Sequence, residues 1–92
     1  MLLSGKKLLI TGVLTPQSIA FAVAELAQQQ GAQVLLTSFG RPMSLTQRTA
    51  KRLTPVPEVL ELDVTQPSHY PALAAAVKER FGTLDGVLHA IA

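Results

Sequence analysis

Short aliphatic runs alternate along this chain with longer stretches whose apolar residues recur at helical spacing, the pattern of parallel strands joined by crossover helices. Lys7 to Thr11 (KLLIT) scarcely alternates, so it predicts a first strand buried on both faces. Ser18 to Gln30 predicts a helix, with Ile19, Val23, Leu26 and Ala27 on one side and Glu25, Gln28 and Gln29 on the other. Gly31 follows in the position just past the helix, where positive φ is cheap. Val34 to Ser38 predicts a second strand, closed by Phe39-Gly40. Met43 to Leu53 predicts a second helix with a weak apolar face and Ser44 as its candidate cap. Pro55-Val56-Pro57 makes a linker turn, and Val59 to Leu62 a third strand ending at Asp63. With Ser68 as N-cap, Pro71 falls in the first turn of a third helix, where its missing N–H does no harm. Leu73, Val77 and Phe81 are the apolar stripe of that helix, Gly82 its stop, and Gly86 to Ile91 a fourth strand.

The order β-α-β-α-β-α-β predicts an α/β fold: the N-terminal part of a Rossmann-type doubly wound parallel sheet, with strand order 3-2-1-4. A complete doubly wound fold needs two βαβ halves, and 92 residues hold little more than one. The sequence stops directly after a buried-looking strand and leaves that strand as an apolar edge. The expectation is therefore a truncated sheet, with residues 1–92 forming one incomplete dinucleotide-binding domain. Repeats and low-complexity stretches are absent from the sequence.

Composition adds limits. Hydrophobic residues make up 48% of the chain, enough for a packed core, while aromatics at 4% make that core aliphatic. Eight Lys and Arg against six Asp and Glu give a net charge of +2, too slight an excess to carry a nucleic-acid partner. Arg41, Arg48, Lys51 and Arg52 cluster, and read as a solvated helix face. The chain has no cysteine, which excludes disulfides and thiolate metal sites. No apolar run approaches the ~20 residues of a membrane span, and the first residues lack the basic-then-apolar order of a signal peptide. The expectation is a cytoplasmic protein without a membrane or nucleic-acid partner.

The chemistry concentrates in the turn after the first strand, Thr11-Gly12-Val13-Leu14-Thr15-Pro16-Gln17-Ser18-Ile19-Ala20. A helix N-terminus offers unpaired N–H groups and the positive end of a dipole, which suits a pyrophosphate. Gly12 lets the chain turn sharply and approach a phosphate, having no Cβ to clash. Neither G-x-G-x-x-G nor the P-loop pattern is present. Ser18 stands six residues after Gly12, able to cap the helix and to offer a hydroxyl, and Ala20 is small enough for close helix–sheet packing. A plain βα turn with a serine cap would look the same.

Gly12-x5-Ser18-x-Ala20, with Ser18-Ile19-Ala20-Phe21 opening the helix, resembles the enoyl-acyl-carrier-protein reductases, a divergent branch of the short-chain dehydrogenase/reductases. The resemblance continues through Gln30-Gly31-Ala32-Gln33, Leu36-Thr37-Ser38-Phe39, Leu60-Glu61-Leu62-Asp63-Val64 and Leu84-Asp85-Gly86-Val87-Leu88-His89-Ala90-Ile91. The phenylalanine after the second strand is most similar to the actinobacterial, long-chain-type members. A ketoacyl or other short-chain reductase would carry Gly-x-Gly where this chain has Gln17-Ser18-Ile19-Ala20. A non-catalytic dinucleotide-binding module is the alternative from another class.

The resemblance implies a cofactor site made of Gly12, Val13, Ser18, Ile19, Phe39, Asp63, Val64 and Ile91. Phe39 would flank the adenine and ribose, where many related folds have an acidic residue. Asp63 would accept from the adenine amine, Val64 would touch the ring, and Ile91 would lie at the cofactor. NADH is the cofactor implied; Arg41 could instead pair with a 2′-phosphate and favour NADPH. Ala90 and Ala92 stand where many members have serine and glycine. His89, inside a buried strand, reads as a core histidine, and His69 as solvent-exposed. The implied reaction is hydride transfer to a trans-2-enoyl thioester of acyl carrier protein or coenzyme A, in a homotetramer. A tyrosine followed seven positions later by lysine would serve the enolate and the ribose. The only tyrosine, Tyr70, is followed at that distance by Val77. No catalytic residue is assigned to this chain, and the pair is expected downstream in a longer protein.

Overall fold

A computed structural model describes residues 3–11, 13, 18–63 and 65–89, for His89 the main chain only. The elements run β1 (Lys7–Thr11), α1 (Ile19–Gln29), β2 (Gln33–Ser38), α2 (Pro42–Ala50), β3 (Val59–Glu61), α3 (His69–Phe81) and β4 (Gly86–His89). The four strands form one sheet in the order β3-β2-β1-β4, every neighbouring pair parallel. Leu9 of β1 lies opposite Leu35 of β2 on one side and Val87 of β4 on the other. Leu36 likewise pairs with Val59 of β3. Fold class and strand order are as the sequence predicts.

The unbroken apolar runs of β1 and β2 have a direct cause. Successive side chains point to opposite faces, and here both faces are covered. Ile10, Val34 and Leu36 pack with Ala20, Phe21, Ala24 and Ala27 of α1 and with Ala50 and Leu53 after β2. Leu9, Leu35 and Leu60 pack on the other face with Val77, Leu73, Ala76 and Phe81. Helices α1 and α2 therefore share one side and α3 takes the other, as two right-handed crossovers in one direction and one in reverse require.

Three local expectations are corrected. Ile19, Val23 and Leu26 do not form the buried face of α1: Ile19 is 80% exposed and Leu26 58%. The buried stripe is Ala20–Ala24–Ala27 with Phe21, because small side chains let the helix lie close on the sheet while Ile19 and Leu26 are left to solvent. Val23 lines an open groove of about 180 Å³ beside β4 with Leu8, Ile10, Gly86, Val87 and Leu88. Helix α2 begins at Pro42, with Arg41 at its N-cap position, since the fixed φ of proline suits the first helical residue. Ser44 is consequently inside the helix, its hydroxyl donating to the Arg41 carbonyl at 3.5 Å. Ser68 does precede α3, but its side chain makes no capping bond.

The edge strand β4 is apolar and open, with Val87 59% exposed. On the α3 side a groove of about 340 Å³ runs beside it, lined by Leu9, Tyr70, Leu73, Val77 and Leu84 among others. Two contacts fasten the sheet's far corners. Lys7 donates its main-chain N–H to Asp85 Oδ2 at 2.8 Å and its ammonium to the Phe81 carbonyl at 2.7 Å. Arg80 on α3 pairs with Glu58 before β3, at 2.6 Å.

Helix α1 ends in a Schellman turn. Ala32 N–H donates to the Ala27 carbonyl and Gly31 N–H to that of Gln28, both at 3.0 Å. Gly31 sits at φ +96°, and a Cβ there would meet Ser4 Oγ at 2.9 Å and Ser4 Cα at 3.0 Å. Gly31→Ala is expected to lower stability by about 1–3 kcal/mol, read as a shift of the urea unfolding midpoint with unchanged slope.

Candidate functional site

Parallel strands place all their carboxyl ends at one edge of the sheet. The order reverses between β1 and β4: the chain steps outward through β2 and β3, then returns to the far side of β1. Such a switch point is where open α/β sheets leave a crevice for ligands. Ser18, Phe39 and Asp63 lie at that edge, in the segments that leave β1, β2 and β3. Gly12, Val64 and Ile91, with Ala90 and Ala92, lie outside the described residues.

Ser18 adopts extended backbone angles (φ −71°, ψ 151°), and its Oγ accepts from Phe21 N–H at 3.1 Å. That satisfies one of the otherwise unpaired amides of the first turn. The first turn of α1 carries no acidic residue, so nothing there opposes an anion. Ala20 is 2% exposed, in keeping with close packing of this helix end on the sheet. Ile19 projects at the surface beside it. Val13 is fully buried in the core on the α1 side, so only its main chain is available to a ligand.

Phe39 follows β2 and is 36% exposed, and Arg41 two residues on is exposed. Behind them the β2–α2 connection is anchored internally: Thr46 Oγ1 donates to Ser38 Oγ at 3.0 Å, both residues buried.

The loop after β3 is the most closely bonded part of the edge. Asp63 Oδ1 accepts from Thr65 N–H at 2.9 Å and from Thr65 Oγ1 at 2.7 Å. The Asp63 carbonyl accepts from Gln66 N–H at 2.9 Å, and the Gln66 carbonyl from His69 N–H at 3.0 Å. His69 Nδ1 in turn accepts the Asp63 N–H at 2.9 Å. The Thr65 hydroxyl first, then its amide, hold the Asp63 carboxyl below its ordinary value of 3.8. Asp63 thus acts as a loop cap whatever else it binds.

His69 corrects an expectation. Its side chain is only 25% exposed and its Nε2 lies 3.9 Å from Glu61 Oε1, because the bonded loop folds α3's first residue back onto the end of β3. Thr65 and His69 are the structured residues that sequence reasoning overlooked. The D-x-T spacing of Asp63 and Thr65 carries a local signal, an Asx turn; the six-residue separation of Asp63 and His69 carries none. The His89 side chain lies outside the description, while its main chain pairs with Thr11. Tyr70 stands in the first turn of α3, 49% exposed, beside the groove on the α3 face. Among the described residues, no group of His, Asp or Glu is placed to hold a metal ion, and no helix is long and apolar enough to cross a membrane.

These features define the front of a Rossmann-like α/β fold with a candidate ligand edge at the strands' carboxyl ends. Residues 12–92 match the family described as enoyl-(acyl carrier protein) reductase, and the chain belongs to that family. It is similar to the NADH enoyl-acyl-carrier-protein reductase of Mycobacterium avium, 46% identical over 94 residues that cover 99% of this chain and 35% of that protein. The reductase of the same name from Mycolicibacterium smegmatis is 43% identical, covering 98% of this chain and 34% of its own length. That of Rickettsia bellii is 39% identical, covering 99% and 35%. The chain therefore spans about a third of the length of these curated relatives.

Ser18→Ala is expected to cost about 1 kcal/mol of stability, measured by chemical denaturation. The Asp63 carboxyl has its pKa lowered in the folded state, so its contribution is complete above the ordinary value of 3.8. That contribution is lost as pH falls through the lowered value. Amide exchange at Thr65, corrected for intrinsic rate, should rise selectively in that acid window, and Asp63→Asn should abolish the selectivity.

Proposed function

We propose that this chain is the cofactor-binding front of a longer NADH-dependent enoyl-acyl-carrier-protein reductase, its residues 1–92 forming an incomplete dinucleotide-binding domain. The observation that carries the reading is the arrangement of Ser18, Phe39 and Asp63 at the carboxyl ends of three adjacent parallel strands, in a chain of this family.

The described residues fit a dinucleotide. The acid-free N-terminus of α1, with the Ser18 hydroxyl and the main chain of Gly12, Val13 and Ile19, receives the pyrophosphate. Phe39 offers a partly exposed ring to the adenosine in place of a ribose-binding carboxylate. Asp63, held ionised, is a hydrogen-bond acceptor for the adenine amine; Val64 and Ile91, outside the described residues, are assigned by the family resemblance to the adenine ring and to the cofactor. The names of the relatives support NADH, and the missing acidic residue after β2 does not oppose it, because Phe39 binds by packing. When bound, reduced nicotinamide supplies the hydride for the β-carbon of a trans-2-enoyl thioester of acyl carrier protein or coenzyme A. Catalytic groups come from the remainder of the protein, which works as a cytoplasmic homotetramer.

The protein carrying this chain is expected to oxidise NADH when given a trans-2-enoyl thioester, followed by loss of the reduced cofactor's absorbance. Phe39→Ala should weaken NADH binding by about tenfold, equivalent to 1.4 kcal/mol, while Arg41→Ala leaves it unchanged. A strong preference for NADPH that disappears in Arg41→Ala would overturn the choice of cofactor.

A further inference from the structure

We propose that His69 is a positioning residue for the adenine end of the cofactor site, its neutral imidazole holding the Asp63 main chain so that the Asp63 carboxylate faces the adenine amine. The inference rests on the cofactor reading above and adds to it a residue with no contact to the cofactor.

The geometry leaves one protonation state for the ring. A backbone N–H can only donate, so the His69 Nδ1 that accepts it at 2.9 Å must present its lone pair. The neutral ring then carries its proton on Nε2, which points towards Glu61 Oε1 at 3.9 Å. This bond joins the two ends of the loop, since His69 is the first residue of α3 and Asp63 the second residue after β3. Inside that closure lie the Thr65 bonds to Asp63 Oδ1 and the Gln66 bond to the Asp63 carbonyl. Amide, carbonyl and carboxylate of Asp63 are thus each oriented by a separate partner, and the amide is the only one of the three held from outside the turn itself. With it released, the Asx turn can rotate as a unit and carry the carboxylate away from the edge.

A second proton on the ring would set N–H against N–H and break the bond. The charged groups facing His69 are Glu61 on β3 and the Asp63 carboxylate in the loop; Ala72, Leu73 and Ala76 of α3, which line the same groove, bear no charge.

The test compares the unaltered full-length protein with His69→Ala and His69→Asn, whose Oδ1 can take the place of Nδ1 as acceptor. His69→Ala should raise the dissociation constant for NADH about tenfold with kcat at saturating NADH unchanged. His69→Asn should restore binding to within about twofold. The Asp63 amide, bonded to the ring in the unaltered protein, should exchange faster in His69→Ala and return to the unaltered rate in His69→Asn. NADH binding that is the same in His69→Ala, or Asp63 amide exchange that is unchanged there, would overturn the inference alone. Failure of the unaltered protein to bind NADH would overturn the cofactor reading and the inference with it.

Discussion

A parallel strand in the middle of a sheet must be bonded on both edges and covered on both faces, and everything in this structure is arranged around meeting that demand for β1. Its edges are taken by β2 and β4, its faces by the α1 side through Ile10 and the α3 side through Leu9. Once β1 is central, the chain has to leave it in both directions, and the point of reversal falls at its carboxyl end. The candidate ligand edge is thus a by-product of the topology that buries β1. The alanines of α1 serve the same demand, because they set how closely the helix lies on the sheet.

What the sequence made legible was whatever depends on neighbours a few residues away. The non-alternating KLLIT run announced a strand covered on both sides, and Gly31 announced the end of α1. Ser18 announced the cap that the structure shows. The face of α1 was misread because periodicity finds apolar residues without saying which apolar stripe meets the sheet. Ile19–Val23–Leu26 and Ala20–Ala24–Ala27 both have helical spacing, and only the height available above the strands selects the smaller set. Ser44 misled for a related reason: a capping residue type lay two positions inside a helix that proline had already started.

The candidate site was legible to a similar depth. Phe39 and Asp63 were found as residues that close strands, and the structure sets them at neighbouring strand ends. The part played by His69 was hidden, since it arises from a loop folding back on itself and not from a repeated spacing. In the proposed cofactor site Asp63 would hold a role in local structure and a role in binding together: a carboxylate already fixed by Thr65 has less freedom to lose if a ligand arrives.

The clasp between Lys7 and Asp85 spans 78 positions of sequence, and Asp85 N–H returns the bond to the Lys7 carbonyl at 2.8 Å. Closing so long a loop costs entropy before any contact repays it. The pairing of β1 with β2, separated by one helix, can form first and form early. On a ribosome the start of β1 has no partner on its other edge until the chain has been made through residue 85. During that interval Leu8 and Ile10 hold half a sheet whose open side is strongly apolar, the condition under which nascent chains recruit holdase chaperones or one another. The clasp therefore marks the moment at which β1 ceases to be an open edge and the exposed apolar edge passes to β4.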